Sequence, residues 1–83
     1  MKFHTNLEDY NCPPLVNLKS FAKELKINNL FVKDESERFG LNAFKVLGAS
    51  YAVNHLLNHE SNITTFCTAT DGNHGRAVAW SAR

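Results

Sequence analysis

Apolar and polar positions along the 83-residue chain fall into alternating blocks. In "NCPPLVNL", Pro13 and Pro14 fix their own backbone angles and bias Cys12 away from helix, so the segment reads as extended. Leu18, Phe21, Ala22 and Leu25 then recur at helical spacing, with Ser20 or Asn17 as candidate caps and Asn28 and Asn29 as the end. Leu30 to Lys33, "LFVK", is rich in strand formers and predicts a short, mostly buried strand. The polar run Asp34 to Asn42 predicts a loop turning at Gly40. A helix follows from about Ala43 to about Asn58, apolar on nearly every side in its first turns. Ile63 to Thr70, "ITTFCTAT", predicts a second buried strand, and "DGNHG" leads into a last helix containing Val78, Ala79 and Trp80.

Strand, helix, strand, helix in that order predicts α/β packing with parallel strands. Two strands with their helices leave a sheet edge unpaired and apolar helix faces uncovered. Residues 1–83 are therefore expected to form a single incomplete domain of a larger architecture. Composition agrees with a globular piece, at 43% hydrophobic and 20% charged residues. A net charge of +1, with basic and acidic residues interspersed, offers no footprint for nucleic acid or an anionic membrane. The start carries no apolar signal segment, and Glu8 and Asp9 oppose a transit peptide, so a cytoplasmic location is expected. Cys12 and Cys67 form no C-x-x-C pair and are expected as reduced thiols, Cys67 acting as a small hydrophobe in its apolar run. His55 and His59 have the spacing of two metal ligands on a helix, but no third ligand stands at a suitable distance, and no metal is expected.

One residue breaks the pattern. Lys45 is the lone charge between Arg38 and Glu60, placed where the helix is most apolar. Burying an isolated ammonium is costly. Its side chain could run along apolar surface to water, pair with Asp34 or Glu35, bind an anion, or act as a covalent catalyst. The positive end of a helix dipole and lost hydration both disfavour an ammonium, and a free amine there is suited to condensing with an aldehyde. A second cluster, "TATDGNHG" from Thr68 to Gly75, crowds hydroxyl, carboxylate, amide and imidazole groups into one strand-to-helix turn. Free N–H groups at such a helix start can receive a carboxylate or phosphate; equally, Asp71 or Asn73 can cap the helix.

Together these stretches resemble the fold-type II pyridoxal-phosphate enzymes, the tryptophan synthase β-like group that includes threonine synthase and the serine and threonine dehydratases. "KDESERFGLNAFKVLGASYA" and "TATDGNHGRAVAW" are similar within that group to the diaminopropionate ammonia-lyases, and "PPLVNL" matches a looser "TPL-x-L" pattern with Pro13 in place of Thr. The resemblance runs from about Asp9 to Arg83 and reaches only the N-terminal part of such an enzyme. It implies pyridoxal 5'-phosphate held covalently by Lys45, Phe44 packed beside it, and Asn73 donating to its 3-hydroxyl oxygen. Thr70, Asp71, Gly72 and His74 would receive the substrate carboxylate, Asp71 would act as a base toward D-2,3-diaminopropionate, and Lys45 would move the Cα proton. The implied reaction is α,β-elimination to pyruvate and ammonia on a small amino acid substrate, in a parent enzyme that is a homodimer. The isolated chain is expected to be inactive. Alternatives are a non-catalytic truncated fragment serving as an association module, and a related serine or threonine dehydratase. Ala77 departs from the family pattern, which has glycine there, and the link from the lysine helix to "ITTFCTAT" is shorter than the diaminopropionate branch leads one to expect.

Overall fold

The computed structural model describes residues 2–83. Its elements in chain order are α1 (Lys2–Thr5), β1 (Leu15–Asn17), α2 (Lys19–Glu24), β2 (Phe31–Lys33), a 3-10 turn at Arg38–Gly40, α3 (Lys45–His59) and α4 (Asn73–Ala82).

β1 and β2 pair antiparallel, with Leu15 opposite Lys33, Val16 opposite Val32 and Asn17 opposite Phe31. Bonds from Leu18 N to the Leu30 carbonyl and from Asp34 N to the Pro14 carbonyl, each 2.9 Å, extend the ladder at both ends. This corrects the expected parallel arrangement. The expected parallel partner of β2, Ile63–Thr70, does not pair with it, and β2 takes the extended segment before α2 instead. Ile63 to Thr70 also differs from expectation, running as irregular chain rather than a buried strand. A strand exists only with a partner to take its N–H and carbonyl groups, and none lies beside this segment among the described residues. Cys67 is exposed accordingly, and both cysteines are free thiols.

The helix before β2 begins without a side-chain cap, at Leu18 rather than Asn17, and Ser20 lies inside it. Nor do Asn28 and Asn29 end it. Lys26 adopts φ 55°, Ile27 N bonds to the Ala22 carbonyl and Lys26 N to the Lys23 carbonyl, both 3.1 Å. That is a Schellman closure with lysine in the position glycine usually takes. The apolar stripe of α2 is present, but only Ala22 is buried, while Phe21 and Leu25 face outward.

The core lies between α3 and α4. Val46, Ala49 and Ala77 form its buried centre, with Phe39, Leu41, Val78 and Trp80 packed around them. Ala77 is only 1% exposed and fills this contact. Val46 and Ala49 near the start of α3 thus meet the middle of α4 at Ala77, and further along Ser50, Val53 and Leu57 border Trp80 and Ser81. The two helices therefore run side by side in the same direction. Their N-terminal ends lie at the same end of the pair. A bond of 2.6 Å between the His4 ring and the Leu47 carbonyl fastens α1 to α3.

The molecule measures 55 × 29 × 19 Å, with a radius of gyration of 16.6 Å. A compact chain of this length has a radius of about 12 Å. Its accessible surface is 6552 Å², against about 5,000 Å² for a compact monomer of this mass. Much of the excess is apolar: Leu15, Val16, Phe21, Leu25, Phe31 and Val32 are all exposed on the β1–α2–β2 lobe.

Candidate active site

α3 starts at Lys45 itself, with Phe44 as the residue before it. Lys45 is exposed, against the expectation of a buried amine. The buried face of α3 is Val46, Ala49, Ser50 and Val53, and Lys45 lies one position off that stripe, on a side no other element covers. Its ammonium sits 5.8 Å from the centre of the Phe44 ring, itself 57% exposed. No carboxylate pairs with it among the described residues; Glu35 is taken up by Lys33 and Arg38. Ion pairing with Asp34 or Glu35 is therefore not what holds Lys45.

Asp71, Gly72, Asn73 and His74 stand exposed around the start of α4. Because α3 and α4 run the same way, this turn lies at the same end of the helix pair as Lys45. The cap of α4 is neither Asp71 nor Asn73. Thr70 Oγ1 accepts hydrogen bonds from Gly72 N at 3.0 Å and Gly75 N at 2.9 Å. A threonine two residues before the glycine whose N–H it accepts forms a hydroxyl-closed turn, and the T-x-G spacing is the signal for it. The other N–H groups of the first turn, those of Asn73 and His74, have no intrahelical acceptor.

The loop before α3 is more ordered than a solvated charge cluster. Arg38, 5% exposed, donates from Nε to Glu35 Oε2 at 2.5 Å and from Nη1 to the Asn11 carbonyl at 3.0 Å, and its guanidinium lies 5.4 Å from the Tyr10 ring centre. Hydrogen bonding to Glu35 raises the Arg38 pKa above its ordinary value, so this charge is permanent. Asp34 Oδ1 accepts from Ser36 Oγ at 2.6 Å and Ser36 N at 3.0 Å, which holds its carboxyl below the usual range. A cavity of about 100 Å³ lies between Asn11–Pro14 and the side of Asp34, Glu37 and Arg38. Phe39, at φ 49°, is a bulky residue in a backbone region few such residues occupy. Its ring packs 4.9 Å from that of Trp80, which ties the loop to α4. Sequence reasoning missed Arg38 as an anchor, since a basic residue among carboxylates is usually solvated. At the far end of α3, His59 Nδ1 lies 2.7 Å from the His55 carbonyl, and no group of three metal-ligating side chains occurs among the described residues. No helix among them is long and apolar enough to cross a membrane.

Residues 8–83 match the family of pyridoxal-phosphate dependent enzymes, and the chain belongs to it. The relatives are more particular. Diaminopropionate ammonia-lyase of Escherichia coli strain K12 is 41% identical over 99 aligned positions, which take in 99% of this chain and 25% of the relative. The Salmonella typhimurium enzyme of the same name is 41% identical over 103 positions, covering 99% of this chain and 26% of its own length. The chain thus spans about a quarter of the curated relatives it matches. Since 99 positions exceed the 83 residues present, those relatives carry residues this chain lacks. Among solved structures, the Escherichia coli lyase in complex with an aminoacrylate-PLP azomethine reaction intermediate superposes with a TM-score of 0.90 at 44% identity, over 98% of this chain and 24% of that one. The same lyase in complex with D-serine gives a TM-score of 0.81 at 40% identity, over 98% and 25%.

Proposed function

We propose that this chain supplies the lysine-bearing N-terminal quarter of a pyridoxal-phosphate dependent ammonia-lyase that converts 2,3-diaminopropionate and water to pyruvate and two molecules of ammonia. The carrying observation is the placement of an unpaired Lys45 amine at the head of α3, at the same end of the helix pair as the Asp71–Asn73 turn. A primary amine free of carboxylates, an aromatic neighbour in Phe44 and an amide in Asn73 are a donor set that suits the cofactor's aldehyde, ring and hydroxyl. When bound, the cofactor supplies an acceptor for the electron pair left as the Cα proton departs.

The chain's own residues take the remaining roles. Lys45 would hold the cofactor, and its amine would move the Cα proton. Phe44 would flank the ring, and Asn73 would donate its side-chain N–H to the 3-hydroxyl oxygen. The turn of Thr70, Asp71, Gly72 and His74 receives the substrate carboxylate, where the open N–H groups of Asn73 and His74 are the available donors. Asp71, beside that anion, acts as a base toward the D-enantiomer. Catalysis needs this head dry, and here it faces water, so the rest of the fold is required to cover it. The same reading places the parent enzyme in the cytoplasm as a homodimer; among the described residues no helix is long and apolar enough to cross a membrane.

Mixing the chain, together with the remaining three-quarters of a relative, with pyridoxal phosphate, reducing with borohydride and mapping the product by mass spectrometry tests the assignment. The adduct should concentrate on Lys45 and vanish in Lys45→Ala; an even spread over all the lysines would sink it. Supplying the remaining three-quarters of a relative in trans and comparing pyruvate release from diaminopropionate and from serine separates the ammonia-lyase from a dehydratase. Asp71→Asn should then lower turnover of the D-substrate while the adduct persists.

The excess apolar surface supports a second reading, in which the chain alone is an association module without activity. No adduct at Lys45 together with self-association at micromolar concentration would favour it.

A further inference from the structure

Thr70 and Gly75 meet at closer quarters than the cap alone requires. With Oγ1 accepting from the N–H groups two and five residues ahead, the side chain is locked in one rotamer, and its methyl group folds over the Cα of Gly75. A β-carbon added to Gly75 would fall well inside contact distance of Thr70 Cγ2, and would lie 3.3 Å from Thr70 Cβ and 3.4 Å from Oγ1. Of the chain's glycines, Gly75 alone is closed off in this way; Gly40, Gly48 and Gly72 have open space at the same position. The restriction is steric rather than conformational, since Gly75 lies within the helix itself, and the methyl group makes the severest contact.

We propose that Thr70 and Gly75 are a matched pair that sets the head of α4, so that Thr70 is a positioning residue for Asn73, acting through the turn it closes. This rests on the reading that Asn73 faces the cofactor, but the pair itself stands on geometry. The hydroxyl fixes where Gly72 and Gly75 point their N–H groups, and Asn73 lies between them. The methyl demands glycine at 75. A serine at 70 would keep the bonds and remove the severest of these contacts, leaving the milder ones to Cβ and Oγ1.

Amide hydrogen exchange on the full chain, followed by NMR, tests the pair without relying on activity. In the unmodified chain the Gly72 and Gly75 amides should be protected. Thr70→Val, of the same shape but with no acceptor, should speed their exchange by about tenfold, and Thr70→Ser should restore protection. Gly75→Ala should loosen the turn, seen as faster exchange at Gly72, and the double variant T70S/G75A should recover most of the protection. Three results would overturn the proposal: open-chain exchange at Gly75 in the unmodified protein, no effect of Gly75→Ala, or no rescue by serine. A protected turn without a Lys45 adduct would defeat the cofactor reading and leave the pair standing.

Discussion

Arg38 and Glu35 grip one another across a single turn of loop, Nε to Oε2 at 2.5 Å and Nη2 to Oε1 at 3.5 Å, while the same guanidinium reaches back to the Asn11 carbonyl. Residues far apart in sequence are joined through one planar fork. A lysine cannot reproduce it, having one nitrogen where three are used. Arg38→Lys should therefore destabilise the loop by about 2 kcal/mol, and Arg38→Met no less. The Asp34 amide, bonded to the Pro14 carbonyl, should exchange faster in both variants, since the anchor at Asn11 holds that contact in place. Unchanged Asp34 exchange would mean that the fork only decorates the surface.

Asp34 gives the loop a dependence on pH. Its folded pKa is held below the ordinary value by two hydrogen bonds from Ser36. A carboxyl with a depressed folded pKa adds stability that is present above its unfolded pKa and fades as pH falls through the folded one. The turn should therefore loosen on acidification below about pH 4 and be indifferent to pH near neutrality. Following the Asp34 carboxyl by NMR in Ser36→Ala should show its midpoint rise toward the usual carboxylate range. A midpoint that stays put would assign the depression to the residue-36 amide rather than to the Ser36 hydroxyl.

How far the sequence reveals this arrangement depends on whether a feature is local. The extent of α3 is legible because a long apolar run free of glycine clusters and proline leaves little choice, and the observed Lys45–His59 differs from the expected span by only a residue or two at each end. The left-handed turn at Gly40, with φ 71°, is equally local. Ile63 to Thr70 fails as a strand because strand propensity states only a readiness to pair. The outward-facing Phe21 and Leu25 fail as core for the same reason, since helical spacing marks a stripe and says nothing of what meets it. At the site, Lys45 and the "DGNHG" turn stand out by residue type alone. Their common end of the helix pair required the α3–α4 packing, and the choice of Thr70 over Asp71 as cap required coordinates.

Two neighbours on α3 should respond in opposite ways. Val46 is fully buried against Ala77, and removing two methyl groups there should cost about 2 kcal/mol of stability. Lys45, a single position earlier, faces water, so Lys45→Ala should change stability by less than about 0.5 kcal/mol. Urea unfolding followed through Trp80 fluorescence reads both, because Trp80 borders the same cluster. Equal losses from the two substitutions would show that the α3 face is rotated from its present orientation.

The apolar face of the β1–α2–β2 lobe sets how the chain behaves in solution. Phe21 and Leu25 are each about half exposed on α2, and Phe31 and Val32 add to the patch from β2. A surface exceeding that of a compact monomer by about 1,500 Å² is about twice the roughly 800 Å² that each partner contributes to a stable interface. The chain should therefore self-associate as its concentration rises. Charges placed on α2, as Phe21→Glu with Leu25→Lys, should return it to a monomer in sedimentation velocity runs. Stability should change little, because neither side chain is buried. Covering this lobe with the remaining three-quarters of a relative should suppress association in the unmodified chain as well. If the charged variant associates as strongly as the original, the contact must lie elsewhere, and the partly exposed Leu56 and Leu57 near the end of α3 become the next surface to probe.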